Sequence, residues 1–277
     1  MPVIAPNTIT LNNGIEMPRL GFGVFQVPDA ETTEAVASAL DAGYRSIDTA
    51  AIYGNEAGVG RAIAESGIAR DELFVTTKLW NTDQGFDAAL AAYDASLAKL
   101  GLDYADLYLI HWPAPALGLY KDTWRALERL LEEGRVRAIG VSNFEPEHLE
   151  DLAATADVVP AVNQIELHPA LQQSQARAAN AGRGIATQAW SPLAQGGVLD
   201  DPAIAAIAAR HGRTPAQVVL RWHLQQDRIV IPKSVTPSRI RENLDVFGFE
   251  LDPGELSAID ALDRGGRTGP APRTFNG

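Results

Sequence analysis

Three observations predict an α/β fold, a single (β/α)8 TIM barrel with an N-terminal β-hairpin and a C-terminal loop-like tail. Short β-rich runs alternate with longer helical patterns eight times along the chain. The strand candidates are apolar on both sides of the pleat, as parallel strands covered on both faces must be. No linker, low-complexity run or shift of composition divides the 277 residues, a length that one barrel can occupy. A doubly wound open sheet shares the alternation, but the undivided chain favours one closed barrel over residues 1–277.

The elements follow in order. Thr8 to Leu11 and Ile15 to Met17 flank Asn12-Asn13-Gly14, a turn signal, and form the hairpin. The first barrel strand is Arg19 to Gly23. A helix opens after Pro28-Asp29, sets Ala35, Val36, Ala39 and Leu40 on one face, and stops at Gly43. Strands two to eight are Tyr44–Thr49, Leu73–Lys78, Leu107–His111, Ala138–Ser142, Val162–Glu166, Ile185–Trp190 and Ile229–Pro232. Helical patterns stand between them at Asn55–Ser66, Phe86–Leu100, Lys121–Glu133, Pro146–Thr155, Gln172–Ala181 and Pro215–Gln226, and Thr236–Phe247 follows the last strand. Gly265 to Gly277 is rich in Gly and Pro and reads as a tail without regular structure.

Composition removes several function classes. A net charge of −12 argues against nucleic acid or an anionic membrane surface as partner. There is no cysteine, so disulfides, thiolate chemistry and Cys-ligated metals are excluded, which fits a cytoplasmic protein. MPVIAPNTIT lacks the basic and apolar blocks of a signal peptide, and no apolar run reaches the ~20 residues of a membrane span. The histidines carry no metal-ligand spacing, so no metal is expected. A closed barrel leaves no sheet edge that demands a partner, so the expected state is a monomer.

Barrels of this kind place their chemistry at the C-terminal ends of the strands. Asp48, Lys78 and His111 close three consecutive strands, and Tyr53 lies five residues beyond Asp48. A free phenol, with pKa ~10, is a poor proton donor near neutrality. An ammonium ~4 Å away contributes about 4 kcal/mol at an effective dielectric of ~20, enough to lower that pKa by about three. Lys78 is thus expected to bring Tyr53 into range as a general acid, with Asp48 keeping the lysine charged in a dry site. His111 is expected to donate a hydrogen bond to a substrate oxygen.

The runs GYRSIDTAAIYGNE (43–56), VTTKLW (75–80), DLYLIHWP (106–113), IGVSNF (139–144), VNQIELHP (162–169) and IPKS (231–234) resemble the aldo-keto reductases over essentially the whole chain. Within that family the sequence looks most like short-loop bacterial members, including the 2,5-diketo-D-gluconate reductases. The resemblance implies reduction of a small-molecule carbonyl by NADPH. It implies that Ser142, Asn143 and Gln164 hold the carboxamide and that Trp190 stacks on the nicotinamide. By the same resemblance Gly23, Ser191, Leu193 and Gly196 contact the cofactor, and Lys233, Ser234, Val235, Arg239, Glu242 and Asn243 grip the adenosine 2′-phosphate and adenine. No GxGxxG is present, so the nucleotide is not held as in an open dinucleotide-binding sheet.

Phe22, Ala50, Ile52, Trp80 and Trp112 are expected to wall an apolar substrate slot together with His111, with Phe275 of the tail over its mouth. His168 is expected to be structural. Two other readings remain open: a barrel hydrolase or isomerase using Asp48 and His111, and a catalytically quiet NADPH-binding regulatory subunit of the same fold.

Overall fold

The computed structural model describes residues 8–277. The hairpin strands β1 (Thr8–Thr10) and β2 (Glu16–Pro18) pair antiparallel, with Ile9 opposite Met17. Eight parallel strands follow: β3 (Phe22–Gly23), β4 (Ser46–Asp48), β5 (Phe74–Leu79), β6 (Ala105–Ile110), β7 (Val136–Ser142), β8 (Val162–Glu166), β9 (Ala186–Trp190) and β10 (Ile229–Val230). Each pairs with the next in chain order. The sheet closes on itself where Leu20 bridges Val230, the Gly21 amide donates to the Val230 carbonyl and the Val230 amide to the Arg19 carbonyl. Closure is the barrel's answer to exposed strand edges.

The helices are α1 (Asp29–Ala42), α2 (Glu56–Glu65), α3 (Phe86–Leu100), α4 (Tyr120–Glu132), α5 (Pro146–Ala153), α6 (Ser174–Ala181), α7 (Pro202–His211), α8 (Pro215–Gln225), α9 (Pro237–Leu244) and α10 (Pro253–Asp260). Helix α1 ends because Gly43 takes φ +113, a left-handed conformation that a side chain would strain, and its amide returns to the Ala39 and Leu40 carbonyls. Helix α10 has no counterpart in the sequence reading, although Asp252 and Glu255 form a capping box around Pro253. Its apolar face is short, which is why periodicity passed over it.

Leu11 and Met17 of the hairpin pack with Phe74, Leu107, Leu109, Ala138, Val162 and Ile229, side chains of the barrel strands. The hairpin is therefore bound into the barrel's own apolar cluster, Met17 being completely buried. Asn12 Nδ2 donates to the Pro160 carbonyl at 3.0 Å and fixes the turn against the strand connections. With that end sealed, the C-terminal ends of the strands form the open face.

Candidate active site

Adjacent parallel strands bring Asp48, Lys78 and His111 to this face, as the sequence predicts. Asp48 ends β4, Lys78 is the penultimate residue of β5, and His111 follows β6 directly. Lys78 Nζ donates to Asp48 Oδ1 at 2.5 Å, to the Thr49 carbonyl at 2.8 Å and to the Tyr53 hydroxyl at 3.4 Å. Lys78 is fully buried and Asp48 nearly so. Tyr53 sits on a single helical turn, Ala51–Tyr53, ended by Gly54 at φ +68. That loop is anchored from below: Thr49 Oγ1 donates to Asn55 Oδ1 at 2.8 Å, and Asn55 Nδ2 donates to the Val24 and Val27 carbonyls at 2.9 Å. The His111 ring is 5.6 Å from that of Tyr53, edge to face.

The electrostatics differ from the sequence expectation in one respect. Burial pushes the Tyr53 phenol up, and Lys78 only partly offsets this while Asp48 adds to it. Much of the lysine's field is spent on the carboxylate 2.5 Å away, so the phenol keeps its proton at neutral pH. On Lys78 burial works against the charge, yet Asp48 and Tyr53 together hold the ammonium above its usual value. Burial also pushes the Asp48 carboxyl up, against the pull of Lys78 and Gln164. His111 is held well below the usual imidazole value by burial and by the Lys78 charge, which makes it a neutral ring. Its Nδ1 is buried without a partner.

Ser142, Asn143, Gln164 and Trp190 form one network beside this centre. Gln164 Nε2 donates to Asp48 Oδ2 at 2.7 Å and to Gln188 Oε1 at 2.8 Å. Ser142 Oγ donates to the Gln164 carbonyl, and Asn143 Nδ2 donates to the His111 carbonyl at 2.9 Å. Trp190 Nε1 donates to Asn143 Oδ1 at 2.8 Å. The polar groups that the sequence reading assigned to a carboxamide therefore also brace the acid–base centre. Gln188, completely buried, was missed; a Gln inside an otherwise apolar strand is the signal that marks it.

The loop after β9 turns sharply, with Ser191, Ala194 and Gln195 at positive φ and Gly196 at φ +93. Leu193 anchors it by packing on the core. Beyond β10, Lys233, Val235 and Arg239 are exposed, Ser234 is partly exposed, and Asn243 is buried at the inner face of α9. Among the described residues no ion pair engages Lys233 or Arg239, so two cations stand without a carboxylate beside the barrel mouth. That donor set suits a phosphate monoester. Two of the expected cofactor residues have other duties. Glu242 Oε1 accepts from Thr214 Oγ1 at 2.7 Å and so fixes the start of α8. Gly23 is glycine because a Cβ there would lie 3.1 Å from the Ile231 carbonyl across the barrel seam.

The expected slot is only partly as read from sequence. Phe22 does not line it: the ring is buried in the main core, 5.6 Å from the Tyr44 ring. Consecutive strand residues point to opposite faces, and Phe22 takes the helix-facing side. The aromatic at the mouth is Phe25, half exposed, with its ring 5.0 Å from Tyr53; the sequence reading missed it. Trp80 and Trp112 flank His111 at 5.2 and 6.4 Å, and Phe275 of the tail packs on Trp112 at 4.5 Å and on Trp80 at 6.2 Å. Ala50 is completely buried, whereas Ile52 is exposed. His168 is buried against Glu166, 3.1 Å away. Among the described residues no three His, Asp or Glu stand together as a metal site, and no helix is long and apolar enough to cross a membrane.

A closed parallel barrel whose mouth carries a buried lysine–carboxylate pair against a tyrosine defines an acid–base centre. The chain belongs to the aldo/keto reductase family, whose model matches residues 19–264. It is 59% identical over 268 residues to an aldo-keto reductase of Mycolicibacterium smegmatis, covering 97% of this chain and 98% of that protein. It is 54% identical over 273 residues to the glyoxal reductase of Bacillus subtilis, covering 98% of each. Among solved structures, a Gox0644 variant in complex with NADPH superposes with a TM-score of 0.94 at 51% identity, covering 98% of this chain and 99% of that one.

Proposed function

We propose that this protein reduces small, uncharged aldehydes and ketones to alcohols at the expense of NADPH. The observation that carries the reading is the contact of Lys78 Nζ with Asp48 Oδ1 and with the Tyr53 hydroxyl at the barrel mouth. Bound NADPH would supply the hydride to the carbonyl carbon. Ser142, Asn143 and Gln164 would hold its carboxamide, with the Trp190 ring on the nicotinamide face, and Lys233 and Arg239 its 2′-phosphate. Tyr53 would deliver the proton to the carbonyl oxygen, and Lys78 would stabilise the phenolate left behind until solvent restores the proton. A neutral His111 can donate one N–H to the same oxygen without competing as an acid. The intact set of Asp48, Tyr53, Lys78 and His111 favours an enzyme over a quiet NADPH-binding subunit.

The choice of uncharged substrates rests on the mouth. Phe25, Trp80, Trp112 and Phe275 supply apolar rings, while the nearby cations are already committed, Lys78 to Asp48 and Arg273 to Glu145 and Glu147. A carboxylate substrate would be desolvated there without a partner. NADPH consumption is therefore expected to give kcat/KM at least about tenfold higher for methylglyoxal and an aromatic aldehyde than for a diketo sugar acid, a gap of ~1.4 kcal/mol. Preference for the sugar acid would contradict the apolar reading, and no turnover of any of the three would contradict carbonyl reduction.

Cofactor choice can be tested separately. A charge-assisted hydrogen bond to phosphate contributes ~1.5–3 kcal/mol, so Arg239→Ala should weaken NADPH binding by roughly 10- to 100-fold and leave NADH binding nearly unchanged. Fluorescence titration of both cofactors against both proteins decides this; equal losses for the two would remove Arg239 from the phosphate site.

A further inference from the structure

The segment from Gly265 to Gly277 has neither helix nor strand, yet it is pinned across the barrel mouth. Its point of entry is held by a single carboxylate. Glu166, the last residue of β8, is completely buried. Thr268 N and Thr268 Oγ1 donate to its Oε1 at 2.5 and 2.6 Å, and Gly269 N donates to Oε2 at 3.2 Å. Arg267 Nη1 stands 3.5 Å from Oε2, and His168 Nε2 lies 3.1 Å from Oε1. Gly269 in turn rests against Trp190, so closely that a Cβ would come within 2.4 Å of the ring.

The segment makes further contacts along its length. Pro272 is buried, Arg273 meets Glu145 at 3.1 Å and also pairs with Glu147, and the Ala116 amide donates to Asn276 Oδ1 at 2.9 Å. Phe275 then lies on Trp112 and Trp80, whose other neighbour is His111. Glu166 makes no hydrogen bond to the Asp48–Tyr53–Lys78 centre; its bonds go to the tail and to His168.

Only an acceptor-only group suits this point, because every partner is a donor. A glutamine of the same size would turn an NH2 group toward some of them. Burial works against the Glu166 charge, but the bonds from His168, Thr268 and Gly269 hold its carboxyl below the usual range. It is ionised throughout the neutral range.

We propose that Glu166 is a positioning residue for the substrate pocket: by gathering Arg267, Thr268 and Gly269, it sets the segment that lays Phe275 on Trp80 and Trp112. The kinetic consequence rests on the carbonyl-reductase reading above, whereas the anchoring does not. Glu166 therefore governs how tightly a substrate is enclosed and leaves the proton-transfer centre alone.

Full-length Glu166→Gln, Thr268→Val, Phe275→Ala and the Glu166→Gln/Phe275→Ala double variant test this. Limited trypsin digestion reads the anchoring directly, through cleavage after Arg267 and Arg273. Glu166→Gln should release the tail several-fold faster than the unmodified protein, and Thr268→Val should do so to a lesser degree. Release at the unmodified rate in both would overturn the proposal whatever the protein's activity. With an aromatic aldehyde, Glu166→Gln should raise KM by about tenfold, the loss of one charge-assisted bond, and keep kcat within about twofold. The double variant should be no worse than the worse single one, because both changes disable the same wall. KM effects that multiply, or a fall in kcat at unchanged KM, would show that Glu166 acts elsewhere and overturn the assignment. Should Glu166→Gln fail to fold, Thr268→Val carries the same two readouts without touching the buried carboxylate.

Discussion

Tyr53→Phe is expected to lower kcat for aldehyde reduction by about 10²–10⁴-fold, the range a positioned general acid contributes. On the scale of ~1.4 kcal/mol per decade this is about 3–5 kcal/mol of transition-state stabilisation. The ground state should hardly notice. The phenol oxygen's contact in the structure is the 3.4 Å approach of Lys78 Nζ, and that ammonium keeps its bonds to Asp48 Oδ1 and the Thr49 carbonyl. Melting temperature should therefore change little, since one long hydrogen bond contributes at most about 1 kcal/mol. NADPH affinity should be unchanged, because Tyr53 is no part of the assigned carboxamide or phosphate contacts. The three measurements together separate a proton donor from a scaffold residue. Retained turnover would sink the assignment outright, and a large loss of cofactor affinity would mean that the hydroxyl serves binding rather than chemistry. The direction of the Tyr53 pKa gives a second handle. Because burial holds the phenol above its ordinary value, reduction should not be lost through its deprotonation anywhere near neutrality.

That point also shows where sequence reasoning reached and where it stopped. The strand order and the meeting of Asp48, Tyr53, Lys78 and His111 were legible, because strand ends in a closed parallel barrel share one face whatever the loops do. The sign of the Tyr53 shift was not legible. It depends on how much of the Lys78 charge Asp48 absorbs and on how deep the phenol lies, both set by packing. Phe22 and Phe25 fail for a related reason. They are three residues apart at the end of a strand only two residues long, where alternation gives no guide once the chain leaves the pleat. The tail reads as irregular because its order comes from contacts with Glu166, Trp112 and Trp80, each more than a hundred residues away. Local composition carries no trace of such contacts. Glu242 is the converse case: the resemblance assigned it to the nucleotide, while the structure gives its carboxylate to Thr214.

Lys78→Met is expected to damage stability and catalysis together, and a second substitution should pull the two apart. Removing one member of a completely buried ion pair leaves the other charge without compensation, a loss of about 3–5 kcal/mol. For a chain of this size that lowers the melting temperature on the order of 10 °C. Asp48 is the stranded partner, with Gln164 Nε2 at 2.7 Å as its remaining side-chain donor. Burial already pushes its carboxyl up, so part of the loss is relieved when it takes a proton, and the destabilisation should deepen as pH rises above that new value. Adding Asp48→Asn removes the stranded charge while keeping a carbonyl for Gln164, and the double variant should recover most of the lost melting temperature. It should not recover turnover, because the phenolate formed when Tyr53 gives up its proton would still lack a cation in a dry site. If the pair were only a structural staple at the barrel rim, stability and kcat would return together in the double variant. Recovery of the fold without recovery of kcat assigns the lysine to proton delivery and the aspartate to its support.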